Sequence, residues 1–246
     1  AEGIEHGEAP AKPVIALDPG HGGFDPGAQA DGLTESHLML SFARLLKEEL
    51  VRTGRFDVLL TRTEDVFVPL EQRLTLARSA GASVFLSLHA DTVPGDSGKT
   101  SGVTIYTLAE DASDSASQKL TERHAGGDIL SGADLSGAGD DVALALLDLT
   151  RQDTAPRSAS LSSTLVNSFR ASELVVNSHP ERRANLSVLK SADIPSVLIE
   201  LAFLSSNEDI KRLASGEWQH KAALALRDGL LMWHDEDQLR SEALRK

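Results

Sequence analysis

The sequence predicts an α/β fold: three layers, with helices on both faces of a twisted, mostly parallel or mixed sheet of about six strands. Three observations point to it. Short apolar runs bounded by turn residues recur along the chain, amphipathic helical patterns lie between them, and 246 residues at 41% hydrophobic content suit one large domain.

The first run, Val14 to Leu17, precedes Asp-Pro-Gly. The others are Asp57 to Leu60, Val84 to Leu88, Val103 to Thr107, and Val197 to Leu201 after Ile194-Pro195. Apolar runs of this length read as largely buried strands. The clearest helix has Thr34 as N-cap, carries Leu38, Phe42, Leu45 and Leu46 on one face, and stops at Gly54. A second begins near Pro69, uses Leu70, Leu74 and Ala77, and ends before Gly81. Further helices are predicted over Ser160 to Val176, over Asn207 to Ala214 with Glu208 and Asp209 in its first turn, and from about Glu217 to His234. Residues 108–157 hold no strand pattern, are rich in Gly, Ser and Asp, and include one amphipathic run, Asp140 to Leu149. So long an irregular insert in a compact domain implies a use. Residues 1–12 read as linker from an upstream region, 13–234 as the main domain and 235–246 as a C-terminal tail.

A formal net charge of −13, from 37 acids against 24 bases, disfavours nucleic acid and anionic membrane surfaces, which are bound by displacing counterions with Lys and Arg. Without cysteine there is no disulfide and no thiolate site, so any metal must be held by histidines and carboxylates. No apolar run is long enough to cross a membrane, and the first dozen residues lack the basic start and apolar centre of a signal peptide.

The chemistry gathers at strand ends. His21 follows the first strand in LDPGHGG, residues 17–23, where Pro19 and three glycines force a tight turn. His89 ends a strand pattern in FLSLHAD, and Glu200 ends another in VLIE. In an open α/β sheet, sites collect at the strands' carboxyl ends. Glu35, in the first turn of the helix after the glycine loop, returns to the same rim. Two imidazoles and a carboxylate form a common open zinc site, and a nearby carboxylate can serve as general base. His37 competes with Glu35, since two positions along a helix is a rotation of about 200° and only one of them can face the site. A phosphate cradle fits poorly: the turn lacks GxGxxG spacing and a GK[ST] ending, and Asp18 and Asp25 would repel phosphate.

The motifs LDPGHGG at 17–23, GLTES at 32–36, TRT at 61–63, SLHAD at 87–91 and IELAFLSSNED at 199–209 occur in an order that resembles the zinc-dependent N-acetylmuramoyl-L-alanine amidases of the type 3 class. The resemblance spans Lys12 to about His234. It implies His21, Glu35 and His89 as ligands of one Zn2+ per chain and Glu200 as the catalytic carboxylate, and so chooses Glu35 over His37. Ala202 stands where the family often has Gly. The implied reaction is hydrolysis of the amide between N-acetylmuramic acid and the L-alanine of the peptidoglycan stem peptide. The insert at 108–157 is similar to the regulatory segment of Gram-negative cell-division amidases, which covers the site until a LytM-domain activator displaces it. By that likeness Glu122 in LTERHAGGD is an inhibitory fourth ligand and Asp140 to Leu149 the partner-responsive helix, although the residues after Glu122 depart from the usual Glu-Asn pair. A periplasmic monomer acting in daughter-cell separation is the corresponding expectation. A zinc carboxypeptidase or deacylase, and a silent wall-binding module, are the alternatives.

Overall fold

The structure, a computed structural model, describes residues 11–93, 100–109, 112–115, 117–122, 141–191 and 193–244. Its elements in chain order are β1 (Val14–Pro19), β2 (Gln29–Ala30), β3 (Leu33–Thr34), α1 (Glu35–Arg52), β4 (Asp57–Leu60), α2 (Leu70–Ser79), β5 (Ala82–His89) and β6 (Val103–Leu108). There follow α3 (Asp141–Ala171), β7 (Val176–Ala184), a 3-10 turn at Ser187–Leu189, β8 (Ser196–Glu200), α4 (Asn207–Ala214) and α5 (Gly216–Leu244).

Among the described residues six strands form one sheet in the order β4-β1-β5-β8-β6-β7, and β2 and β3 make a small hairpin apart from it. The first four are mutually parallel; β6 runs antiparallel to β8, and β7 follows β6 in parallel. The sheet is therefore mixed.

Side chains alternate across each strand, so the two faces separate by parity. Ile15, Leu17, Leu86, Leu88, Val197 and Ile199 pack on one face against Phe42 and Leu46 of α1, Phe169 of α3 and Trp233 of α5. Ala16, Phe85, Tyr106 and Leu198 pack on the other against Leu74 and Ala77 of α2 and against Leu120, Leu186 and Leu189. Continuing that parity puts Asp18, Ser87, His89 and Glu200 on the second face at the carboxyl rim.

Helix α1 starts where the sequence predicts, but Thr34 makes no side-chain cap. The glycine loop caps it instead, with Glu35 N–H donating to Ala28 O at 2.9 Å and Ser36 N–H to Pro26 O at 3.1 Å.

Four expectations are corrected. Helix α3 runs from Asp141 to Ala171 rather than from Ser160 to Val176, so the amphipathic run and the residues past it form one element. Pro156 inside it forfeits a backbone bond. The helix continues because it is docked: Arg157 makes two bonds to Asp237, at 2.9 and 2.8 Å, and Arg157 O accepts from Trp233 Nε1 at 3.3 Å. The boundary at residue 157 thus falls inside a packed helix. Val176 begins a strand, β7, which no pattern announced: VNSHPERRA is polar and holds Pro180, as suits the sheet's outer edge. The segment expected as a tail at 235–246 continues α5 to Leu244, with Asp237 buried against Arg157. Ser158 Oγ receives Ser196 N–H at 2.9 Å at the amino end of β8, so the part of α3 preceding it starts from the rim away from Glu200. Residues 1–10 and Asp140 lie outside the described residues.

Candidate metal centre

After β1 the chain turns sharply. Gly20 N–H donates to Leu88 O at 3.0 Å, and a Cβ on Gly20 would meet the His89 ring at 2.4 Å. His21 itself adopts φ 59, a left-handed conformation that a non-glycine residue holds only when its surroundings enforce it.

Two buried arginines enforce it. Arg73 Nη1 donates to Pro19 O and Arg73 Nη2 to His21 O, both at 2.8 Å, while Arg62 donates to Pro19 O at 2.9 Å, Gly20 O at 2.9 Å and Ser36 O at 2.7 Å. Arg73 is neutralised by Asp18, at 2.8 Å, whose carboxylate also accepts from Thr61 and Ser87. Burial opposes ionisation of Asp18, but Arg73 and the hydroxyl of Thr61 hold its pKa below the usual carboxylate value. Burial and the neighbouring Arg73 cation lower Arg62 to about 10.

Glu35 is buried between the two imidazoles: His21 Nε2 lies 3.3 Å from Oε2 and His89 Nδ1 3.0 Å from Oε1. Backbone N–H groups of Ala28 and Ala90 also donate to it, at 2.8 and 3.0 Å. Candidate ligand atoms of His21, Glu35 and His89 all lie within 4.8 Å of one another. Asp25 Oδ2 holds the other ring nitrogen of His21 at 2.8 Å, the kind of outer partner that fixes a ligand's ring. A Cβ on Gly27 would fall 2.6 Å from both Glu35 and His21, so the loop closes tightly over the cluster.

The cluster recruits positive charge. Burial disfavours the His21 imidazolium, yet the Glu35 carboxylate and the bonds to Asp25 and Glu35 push its pKa up to about 10. Burial likewise opposes the Glu35 anion, and the two histidines hold it well below the ordinary value. A divalent cation answers the same demand, and two imidazoles with one carboxylate are a donor set that suits zinc. Beside it, Glu200 is paired in register with His89 across β5 and β8, and its Oε2 accepts from Asp91 N–H at 2.9 Å.

The sequence-predicted residues His21, Glu35, His89 and Glu200 are thus brought to one place. Glu122 is not. It is exposed on a helical stretch at 117–122, receives Gln118 Nε2 of that same stretch at 3.3 Å, and is not among the residues whose ligand atoms converge. His37 faces away, 65% exposed, and pairs with Asp65 at 2.9 Å. Sequence reasoning saw Asp18 only as a bar to phosphate and Arg62 only within the TRT motif, and missed Arg73; the available signal for Asp18 was a charged residue directly after an apolar run in LDP.

Fold and cluster define a class, an α/β protein with a His-Glu-His group that could hold a metal ion on the carboxyl rim of its sheet. The chain belongs to the N-acetylmuramoyl-L-alanine amidase family Amidase_3, which it matches over residues 15–232. It is 38% identical over 223 residues to the amidase AmiC of Neisseria meningitidis, covering 89% of this chain and 52% of that protein. It is 32% identical over 236 residues to AmiA of Escherichia coli, covering 94% and 80%. The chain therefore spans about half of the AmiC relative's length. Solved structures share the fold: the Clostridioides difficile CwlD amidase in complex with the GerS lipoprotein has a TM-score of 0.65 at 22% identity, covering 91% of this chain and 99% of that one. AmiC2 of Nostoc punctiforme has 0.63 at 23%, covering 92% and 98%.

Proposed function

We propose that this chain is a zinc-dependent cell-wall hydrolase cutting the amide between the lactyl group of N-acetylmuramic acid and the L-alanine of the stem peptide. The observation that carries the reading is the convergence of His21, Glu35 and His89 beside Glu200, in a family named for that bond. Those three residues would hold one Zn2+, and three protein ligands are the number of a catalytic rather than a closed structural site. When bound, the ion would supply Lewis-acid polarisation of the carbonyl and lower the pKa of water to near neutrality, about 7. Glu200, oriented by the Asp91 N–H, accepts the proton of the attacking water and returns it to the leaving nitrogen as the C–N bond breaks. Asp25 and the Arg62 and Arg73 clamp keep His21 in place.

The test is digestion of purified muropeptides by zinc-loaded protein, with products identified by mass. Free stem peptide starting at L-alanine, together with intact glycan, is expected. Cleavage inside the peptide would favour the carboxypeptidase reading, and no cleavage by wild type with or without the insert would favour a binding module.

Likeness to Gram-negative cell-division amidases also leads us to place the protein in the periplasm, in daughter-cell separation, under a LytM-domain activator. We assign autoinhibition to the insert. Because Leu120 and the helix from Asp141 belong to the packed body, residues 123–140, outside the described residues, are the part to replace. Exchanging them for a short Gly/Ser link should raise hydrolysis; unchanged hydrolysis in a folded variant would sink that assignment.

A further inference from the structure

We propose that Phe24 and Phe67 form a saccharide-binding shelf beside the metal centre, taking a neutral pyranose ring of the glycan strand, an inference that rests on the amidase reading above. Phe24 is 68% exposed and Val66 46%. The Phe24 ring stacks on Phe67, with centroids 4.2 Å apart and planes 31° from parallel. Single exposed apolar side chains are ordinary, but grouped ones at the edge of a site mark recognition surfaces.

The shelf is built into the cluster's own loop. Gly22 N–H donates to Asp25 O at 2.8 Å and Asp25 N–H to Gly22 O at 3.2 Å, closing a four-residue turn with Gly23 and Phe24 at its tip. Asp25 of that turn holds the His21 ring. Phe24 is thus positioned by the same residues that orient a proposed ligand. On the far side Gly23 N–H donates to Asp65 Oδ1 at 3.0 Å, and a Cβ on Gly23 would lie 2.6 Å from Phe67 N, so only glycine lets the two loops seat together. The rings are therefore held before any ligand arrives, which lowers the ordering cost of binding.

Chemistry selects the occupant. The aromatic faces are electron-rich and attract the C–H face of a pyranose. Glu64 and Asp65, exposed at the shelf's border, repel the carboxylates of a stem peptide. The muramic ring is neutral, because its lactyl carboxyl is tied up in the scissile amide. That ring lies only a few bonds from the carbonyl that must reach the cluster, so a bound substrate brings a sugar to the loop that borders His21.

The experiment measures binding in a Glu200→Gln background, to suppress turnover, using a muropeptide that keeps its disaccharide and, separately, the free stem peptide. Phe24→Ser should weaken binding of the saccharide-bearing ligand by about tenfold, Phe24→Tyr should retain it, and the free peptide should bind equally to all three. Equal affinity of wild type and Phe24→Ser for the disaccharide ligand would overturn the shelf, as would an equal loss for both ligands. The melting temperature of each variant guards against unfolding. Hydrolysis by the wild type tests the amidase reading on its own: if that fails while the binding contrast holds, the shelf stands without it.

Discussion

The sheet has two unlike halves. β4, β1, β5 and β8 run parallel and deliver their carboxyl ends to one rim, where His21, His89 and Glu200 follow or end three of them. β6 and β7 run the other way and deliver their amino ends to that rim; neither contributes a member of the cluster. In the first half the ion pair of Asp18 with Arg73 is buried, whereas the outer strand's ion pair, Arg182 with Asp114 at 2.9 Å, is partly open to solvent. Parallel strand ends can concentrate chemistry because neighbouring loops leave in the same direction, and an edge strand must instead keep itself soluble.

The sharpest way to break the contrast is Glu200→Gln. It should lower turnover on muropeptides by on the order of 10²–10⁴-fold while leaving zinc content, measured by elemental analysis, near wild type. Undiminished turnover would remove Glu200 from the chemistry. Glu35→Gln should instead weaken zinc binding by more than about tenfold in a chelator competition, since it removes the carboxylate that both imidazoles face. Arg73→Met should cost about 3–5 kcal/mol in urea unfolding, because it strands the Asp18 carboxylate in the interior.

A pH series sharpens this last point. Asp18 has a folded pKa below its ordinary 3.8, so the stability it contributes is present above that value and is lost as pH falls through the lower folded value. Asp18→Asn should flatten the acid limb of an unfolding series relative to wild type; an unchanged limb would mean that the carboxylate carries no such linkage. Arg182→Met should cost at most about 1 kcal/mol, and a loss as large as that of Arg73→Met would erase the difference between the halves.

Much of the parallel half was legible in the sequence. Asp57–Leu60 was read to the residue, and β1, β5 and β8 to within about two residues, because buried parallel strands are apolar throughout. β7 was illegible because an edge strand with Pro180 and exposed charges carries no such run. The start of α3 was hidden by Pro156, whose cost is offset by contacts to Asp237 and Trp233 some eighty residues away. Glu122 was expected as a ligand from likeness to a family's regulatory segment, and its carboxylate instead meets Gln118 one turn earlier on the same helical stretch.

By itself, the sequence determined the strand ends, the glycine loop, and the candidates His21, His89 and Glu200, because apolar runs, turn residues and the residues that follow them are local features. Glu35 was chosen over His37 by the resemblance of the ordered motifs. Only the tertiary structure decided that His37 turns to Asp65, that Arg62 and Arg73 hold His21 in its left-handed conformation, and that Phe24 comes to rest on Phe67. Each of those depends on groups far apart in the chain being brought together, where a buried unpartnered charge is costly and a partner is selected by geometry rather than by spacing.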